Sequence, residues 1–106
     1  MENMEIAQVD ERVYVLSRPI QFDGEQHTEL LLDFDALTGE DLLACERQLN
    51  VIVTKTREVI AFKELSKSYL ALVAAKAAKV PVELLYKLNA KDFSKVTVRV
   101  QNFLLN

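Results

Sequence analysis

Apolar and polar positions alternate in two short runs near the start of the chain and recur at helical spacing through most of the rest. The segment RVYVLSRPIQFDGEQHTELLLDF, from Arg12 to Phe34, reads as two β-strands either side of Asp23-Gly24. An Asp-Gly pair suits a two-residue hairpin turn, because a type I′ turn needs φ > 0 at both positions. With that turn Val15 faces Leu32, Val13 faces Phe34 and Ser17 faces Leu30. Leu16 with Leu31 and Arg18 with Glu29 share the other face, and Ile20 faces His27. The Arg18–Glu29 pairing of opposite charges is favourable across strands. Pro19 has no N–H for a ladder, which makes the first strand an edge there. A lone hairpin is marginal in water, so the face carrying Val13, Val15, Leu30, Leu32 and Phe34 calls for a helical partner.

Thr38 followed by Asp41 marks a helix start with acidic residues in its first turn. Leu42, Cys45, Leu49, Ile52 and Val53 then fall on one helical face. Residues 50–61 fit a helix or a strand, since NVIVTKT is rich in β-branched side chains. From Phe62 the period is helical again: Phe62, Leu65, Tyr69, Leu72 and Val73 form a stripe, and Ala71, Ala74, Ala75 and Ala78 make the opposite side small. That alanine side reads either as helix propensity or as close packing against another helix. Val80-Pro81 ends this helix and opens a short one. In its sequence VELLYKL only Glu83 and Lys87 are polar, so it is expected to be buried on two sides.

Asn89, with Asp92 three residues on, caps the last helix. Phe93, Val96, Val100, Phe103 and Leu104 share one of its faces, and Lys91, Lys95 and Arg99 form a basic stripe roughly opposite. A strand through VTVRV explains only its alternating valines, so the helix is preferred. The pattern therefore predicts an α+β fold, an N-terminal β-hairpin packed on about four helices. Residues 1–11 are expected to be a flexible N-terminus and 12–106 a single domain, with the hairpin in 12–34 and the helices in 38–106.

Composition narrows the function. The chain has 106 residues, of which half are apolar and 27% charged, an ordinary globular balance. Its one cysteine, Cys45, excludes an internal disulfide, and its one histidine, His27, leaves little for metal or acid–base chemistry. No apolar run approaches ~18 residues, and the acidic start MENMEIAQVDER is unlike a signal peptide. A soluble intracellular domain without membrane association is expected. The formal net charge of −3 hides a strong polarity: residues 1–53 hold twelve acidic and three basic residues, and residues 54–106 hold four acidic and ten basic. Three explanations are open: the acidic half folds against the basic half, copies associate head to tail, or the basic half meets nucleic acid.

Candidate chemistry is sparse. His27, beside the hairpin turn, reads as a surface strand residue, and Cys45, on an apolar helix face, as a buried inert thiol. Asp33, Asp35, Glu40 and Asp41 lack the pattern of a calcium loop and fit a solvated helix start. Gly24 and Gly39 are the only glycines, too few for a glycine-rich phosphate loop. Lys91, Lys95 and Arg99 fit a solvated face or a contact to the acidic half better than a phosphate grip, with no aromatic residue among them to stack a base. No catalytic residue, cofactor or metal site is expected. What is left is a binding or assembly module.

The order of these signals resembles the small tail assembly chaperones of long-tailed bacteriophages and prophages. The resemblance rests on Ser17-Arg18-Pro19-Ile20, Asp23-Gly24, Thr28-Glu29-Leu30 and Leu37-Thr38-Gly39-Glu40-Asp41-Leu42. It continues through Tyr69–Ala75, Val80-Pro81-Val82-Glu83-Leu84-Leu85, Lys91-Asp92-Phe93 and Val100–Leu105. Only the stretch Asn50–Phe62 departs, being more β-branched than a polar connection. The resemblance implies a non-catalytic protein of the host cytoplasm, absent from the mature virion. It would bind the tape measure protein, keep its helices soluble and help recruit the tail tube protein. Many relatives are also made in a longer, frameshifted form.

On this reading, apolar anchors at helical spacing would cover the client from water, with Leu84, Tyr86, Phe103, Leu104 and Leu105 as candidates. Completion of the core or of a homo-oligomer contact explains the same five residues. A homo-oligomer with head-to-tail contacts is expected. The alternative function is a small nucleic-acid-binding regulatory protein that uses the basic C-terminal helix.

Overall fold

The computed structural model describes residues 10–57 and 66–106. Strands β1 (Val13–Phe22) and β2 (Glu25–Leu31) form an antiparallel hairpin, followed by a 3₁₀ turn at Phe34–Ala36. Helices α1 (Gly39–Thr56), α2 (Lys67–Ala78), α3 (Val82–Tyr86) and α4 (Ala90–Leu105) complete the α+β architecture. Expectations for residues 1–9, for 58–61 of the ambiguous stretch, and for Phe62 and Leu65 lie outside the described residues.

Beside the turn the register is the expected one, with Phe22 facing Glu25, Gln21 facing Gln26 and Ile20 facing His27. Asp23 and Gly24 both take positive φ, 53° and 81°, as the tight turn requires. Farther out the pairing differs: Val15 faces Glu29, Tyr14 faces Leu30 and Val13 faces Leu31. Neither Val15 with Leu32 nor Arg18 with Glu29 is opposed. An irregularity between Val15 and Ile20 puts four residues of β1 against the single Thr28 of β2. The odd offset exchanges faces, so Tyr14 and Leu16 turn inward with Leu30 and Leu32, while Val15 is left 68% exposed. The physical reason lies in residues 17–19: Pro19 has no N–H to give β2, and the Ser17 N–H is bonded to a side chain of α4.

Helix α1 begins with a full capping box, in which the Asp41 amide donates to Thr38 Oγ1 and the Thr38 amide to Asp41 Oδ2. Its helical conformation runs through NVIVTKT to Thr56 and closes at Arg57, which is left-handed at φ 60°. The helical option therefore holds for residues 50–56. Cys45 and Leu49 are buried, with Leu42, Ile52 and Val53 packed at their edge.

Helix α2 is the centre of the molecule, packed against α1, α3, α4 and β2. Ala71 and Ala74 are fully buried and Ala75 nearly so. The alanine side is thus a close-packing surface, where small side chains let neighbouring backbones approach. The helix stops at left-handed Lys79, and Pro81 caps α3, whose Val82, Leu84 and Leu85 enter the core. On α4, Val96 and Val100 are buried, which settles the helix against the strand for VTVRV.

Candidate partner-binding surface

Hairpin and α4 are joined by a buried carboxylate. Asp92, 1% exposed, sits in the first turn of α4, where the helix dipole favours an anion. Its Oδ1 accepts from Tyr14 Oη at 2.7 Å, and both oxygens accept from the Ser17 amide at 3.0–3.1 Å. Ser17 Oγ donates to Oδ2 at 3.0 Å and accepts from Asn89 Nδ2 at 3.0 Å. Burial alone would raise the Asp92 carboxyl, but the bonds from Tyr14 and Ser17, with the Arg18 amide, outweigh it and hold its pKa below the usual carboxylate range. The Tyr14 phenol is pushed up to about 12, by burial first and then by its bond to Asp92 and that charge, with Arg99 opposing.

The sequence reading expects Asp92 to complete a capping box with Asn89. Only half of that box forms: the Asp92 amide donates to Asn89 Oδ1, while the carboxylate reaches across to the hairpin. A second tie lies alongside, where the Arg99 guanidinium covers the Tyr14 ring at 5.2 Å and donates to the Glu11 carbonyl. Among the described residues Arg99 therefore contacts the acidic half through a ring and a backbone carbonyl.

The five expected anchors separate. Leu84 is 1% exposed and lies in the core, so its side chain presents no surface. Leu104 is half-buried against the core. Tyr86, 52% exposed, borders a concavity with Ile52, Lys55, Thr56 and Ser68. Phe103 and Leu105, 37% and 57% exposed, lie at the end of α4. Phe103 stacks on Phe34 with ring centroids 5.0 Å apart and planes 17° apart. The two rings help line a cleft of about 290 Å³ with Arg12, Leu32, Asp35 and Asn102. Leu31, expected on the hairpin face away from the helices, is exposed there, whereas the exposure of Val15 on the hairpin and of Val98 on α4 is not part of the sequence expectation. Val15 follows from the register offset; Val98 carries a legible signal, its helical spacing from Lys91 and Lys95.

The remaining candidates have local explanations. Cys45 is 1% exposed, and its thiol is pushed up by burial, with Lys76 opposing and Asp41 adding. His27 Nε2 lies 3.8 Å from Glu25 on the strand beside the turn. Asp33 pairs with Arg12, Glu40 with Arg47, and Asp41 closes its helix cap. No three His, Cys, Asp or Glu side chains gather at a metal-binding distance among the described residues. No helix there is long and apolar enough to cross a membrane.

The model of the phage tail assembly chaperone proteins, "E, or 41 or 14", matches residues 13–105. The chain belongs to this family. The match runs from the first residue of β1 to the last of α4, so the hairpin, the helices and the latch at Asp92 are all inside it. No curated protein and no solved structure matches the chain. As a tail assembly chaperone it has a part in phage tail assembly within the host. Two segments that carry the resemblance in sequence, Ser17–Ile20 and Lys91–Phe93, meet in space through Ser17 and Asp92.

Proposed function

We propose that this tail assembly chaperone binds the tape measure protein, holds its helices in solution during tail morphogenesis, and leaves before the virion is complete. The observation that carries the reading is the apolar end of α4, where Phe103 stacks on Phe34 and Leu105 stands exposed beyond it. A chaperone needs apolar side chains that its own core leaves available, and an amphipathic client helix can be covered by such a strip. Recruitment of the tail tube protein is part of the same proposal. Nucleic-acid binding is disfavoured, because Arg99 of the basic stripe is already engaged with Tyr14 and Glu11.

Co-expression with the tape measure protein of the same phage tests this. The wild-type chain is expected to raise the soluble fraction of the client and to co-purify with it. Phe103→Ala combined with Leu105→Ala is expected to lose both effects while the chaperone stays folded. Apolar contact tolerates salt, whereas a phosphate grip weakens steeply as salt is added. A client complex that dissolves at moderate salt, or an intact complex with the double variant, would count against the proposal.

A further inference from the structure

The core leaves a groove open along α2, between α1 and α3. Gln48, Ile52 and Lys55 line it from α1, at steps of four and three. Ser68, Leu72 and Ala75 form its floor on α2 with the same spacing, and Val82 and Tyr86 border it from α3, four residues apart. Such steps keep the lining on one side of each helix. Two concavities follow one another along it, about 310 Å³ at the Ala75 and Val82 end and about 450 Å³ at the Ser68 and Tyr86 end. Ser68 and Ala75 are seven residues apart, which is about 10 Å or two turns of helix.

The chemistry of the groove is apolar below and basic above. Leu72, Ala75 and Val82 are buried at its bottom, and Ile52 is half-buried. Lys55, Lys76 and Lys79 stand on its rim, with Glu83 as the one carboxylate in the lining. All three lysines are exposed and make no ion pair among the described residues. This excess of positive charge around an apolar floor complements a ligand that carries carboxylates beside apolar side chains. The walls are helices and offer no strand edge. An extended peptide would therefore lay unpaired N–H and C=O groups against apolar side chains, whereas a helix satisfies its own backbone.

We propose that this groove seats an acidic amphipathic helix of the client. Apolar side chains two turns apart, at i and i+7, enter the two concavities, and carboxylates beside them meet Lys55, Lys76 and Lys79. The apolar contacts supply most of the affinity; the charges select the helix and orient it. The inference rests on the reading of the chain as a chaperone of a helical client, and it gives that client a second contact. The groove shares no lining residue with the Phe34–Phe103 cleft.

Overlapping synthetic peptides that tile the tape measure protein of the same phage test this, with binding to the full chain read by fluorescence anisotropy. An acidic peptide with the i, i+7 apolar spacing is expected to bind and to gain helical circular dichroism as it does. It should bind Phe103→Ala with Leu105→Ala equally well, because a single short helix reads the groove alone. Gln48→Trp fills the groove, and Lys55→Glu with Lys76→Glu reverses its rim. Each is expected to weaken binding about tenfold, with unfolding temperatures close to the wild type because all three positions are exposed. Peptides that bind the groove variants like the wild type, or bind only where Phe103 and Leu105 are intact, overturn the groove and leave the client reading standing. A bound peptide without helix also overturns it. So does the absence of any binding peptide, while co-purification of the whole client judges that reading separately. Groove variants that alter only the chain's own mass in light scattering assign the groove to a second copy instead and overturn the proposal.

Discussion

At the scale of single residues the strongest demand falls on Asp92. A carboxylate this buried persists only because its acceptor sites are filled, by Tyr14 and by the amide and hydroxyl of Ser17. Asp92→Ala strands those donors and is expected to cost roughly 3 kcal/mol in urea unfolding. Tyr14→Phe removes one charge-assisted bond and is expected to cost roughly 1.5 kcal/mol. Because the folded pKa of Asp92 lies below its unfolded value, its stabilisation is complete above the ordinary carboxylate range and is lost as pH falls through the lowered value. Stability measured downward from neutral pH should therefore drop less steeply in Asp92→Asn. Tyr14 works the other way: with its pKa raised to about 12, its contribution is complete below the ordinary tyrosine range and fades as pH rises towards that value. In an ultraviolet titration of tyrosinate, Tyr14 should ionise at about 12, and in Asp92→Asn at a lower pH.

At the scale of elements, local rules were legible wherever one segment decides its own shape. Thr38 with Asp41, Asn89, and the Asp23-Gly24 turn act over a few residues, and the expected helix starts and turn form there. The sequence reading misses where distant segments compete for the same group. The Ser17 N–H has a place in a continuous ladder only if nothing better is available, and Asp92, far along the chain, is better. That competition offsets the register and turns Val13 and Val15 outward, which no alternation within the hairpin reveals. The alanine side of α2 shows the same limit, since propensity and packing select the same residues and only the neighbours tell them apart. Ala74→Leu adds three carbons where no space remains and is expected to destabilise by about 2 kcal/mol in thermal or urea unfolding. Gly24→Ala meets no neighbouring atom; its expected cost of about 1 kcal/mol comes from positive φ alone.

At the scale of the whole molecule, the fold was more legible than the binding surface. Order and type of elements are set by periodicity, but an anchor such as Leu84 has the same apolar character in the core as on a surface, and only tertiary packing distinguishes them. Function through surface contact predicts that His27→Asn with Cys45→Ala leaves client binding intact in a co-purification assay. The cysteine change alone is expected to cost about 1 kcal/mol of packing. The latch has a further consequence, for the order in which the chain folds. Ser17 and Asp92 are 75 residues apart, and closing so long a loop is entropically unfavourable until many other contacts hold it. A chain leaving the ribosome completes its hairpin early and its latch almost last. Until then the inner face, with Tyr14, Leu16 and Leu30, has no α4 to lie against. Chains stalled before Asp92 should therefore be protease-sensitive in the hairpin, and release of the last helix should close the whole fold in one cooperative step.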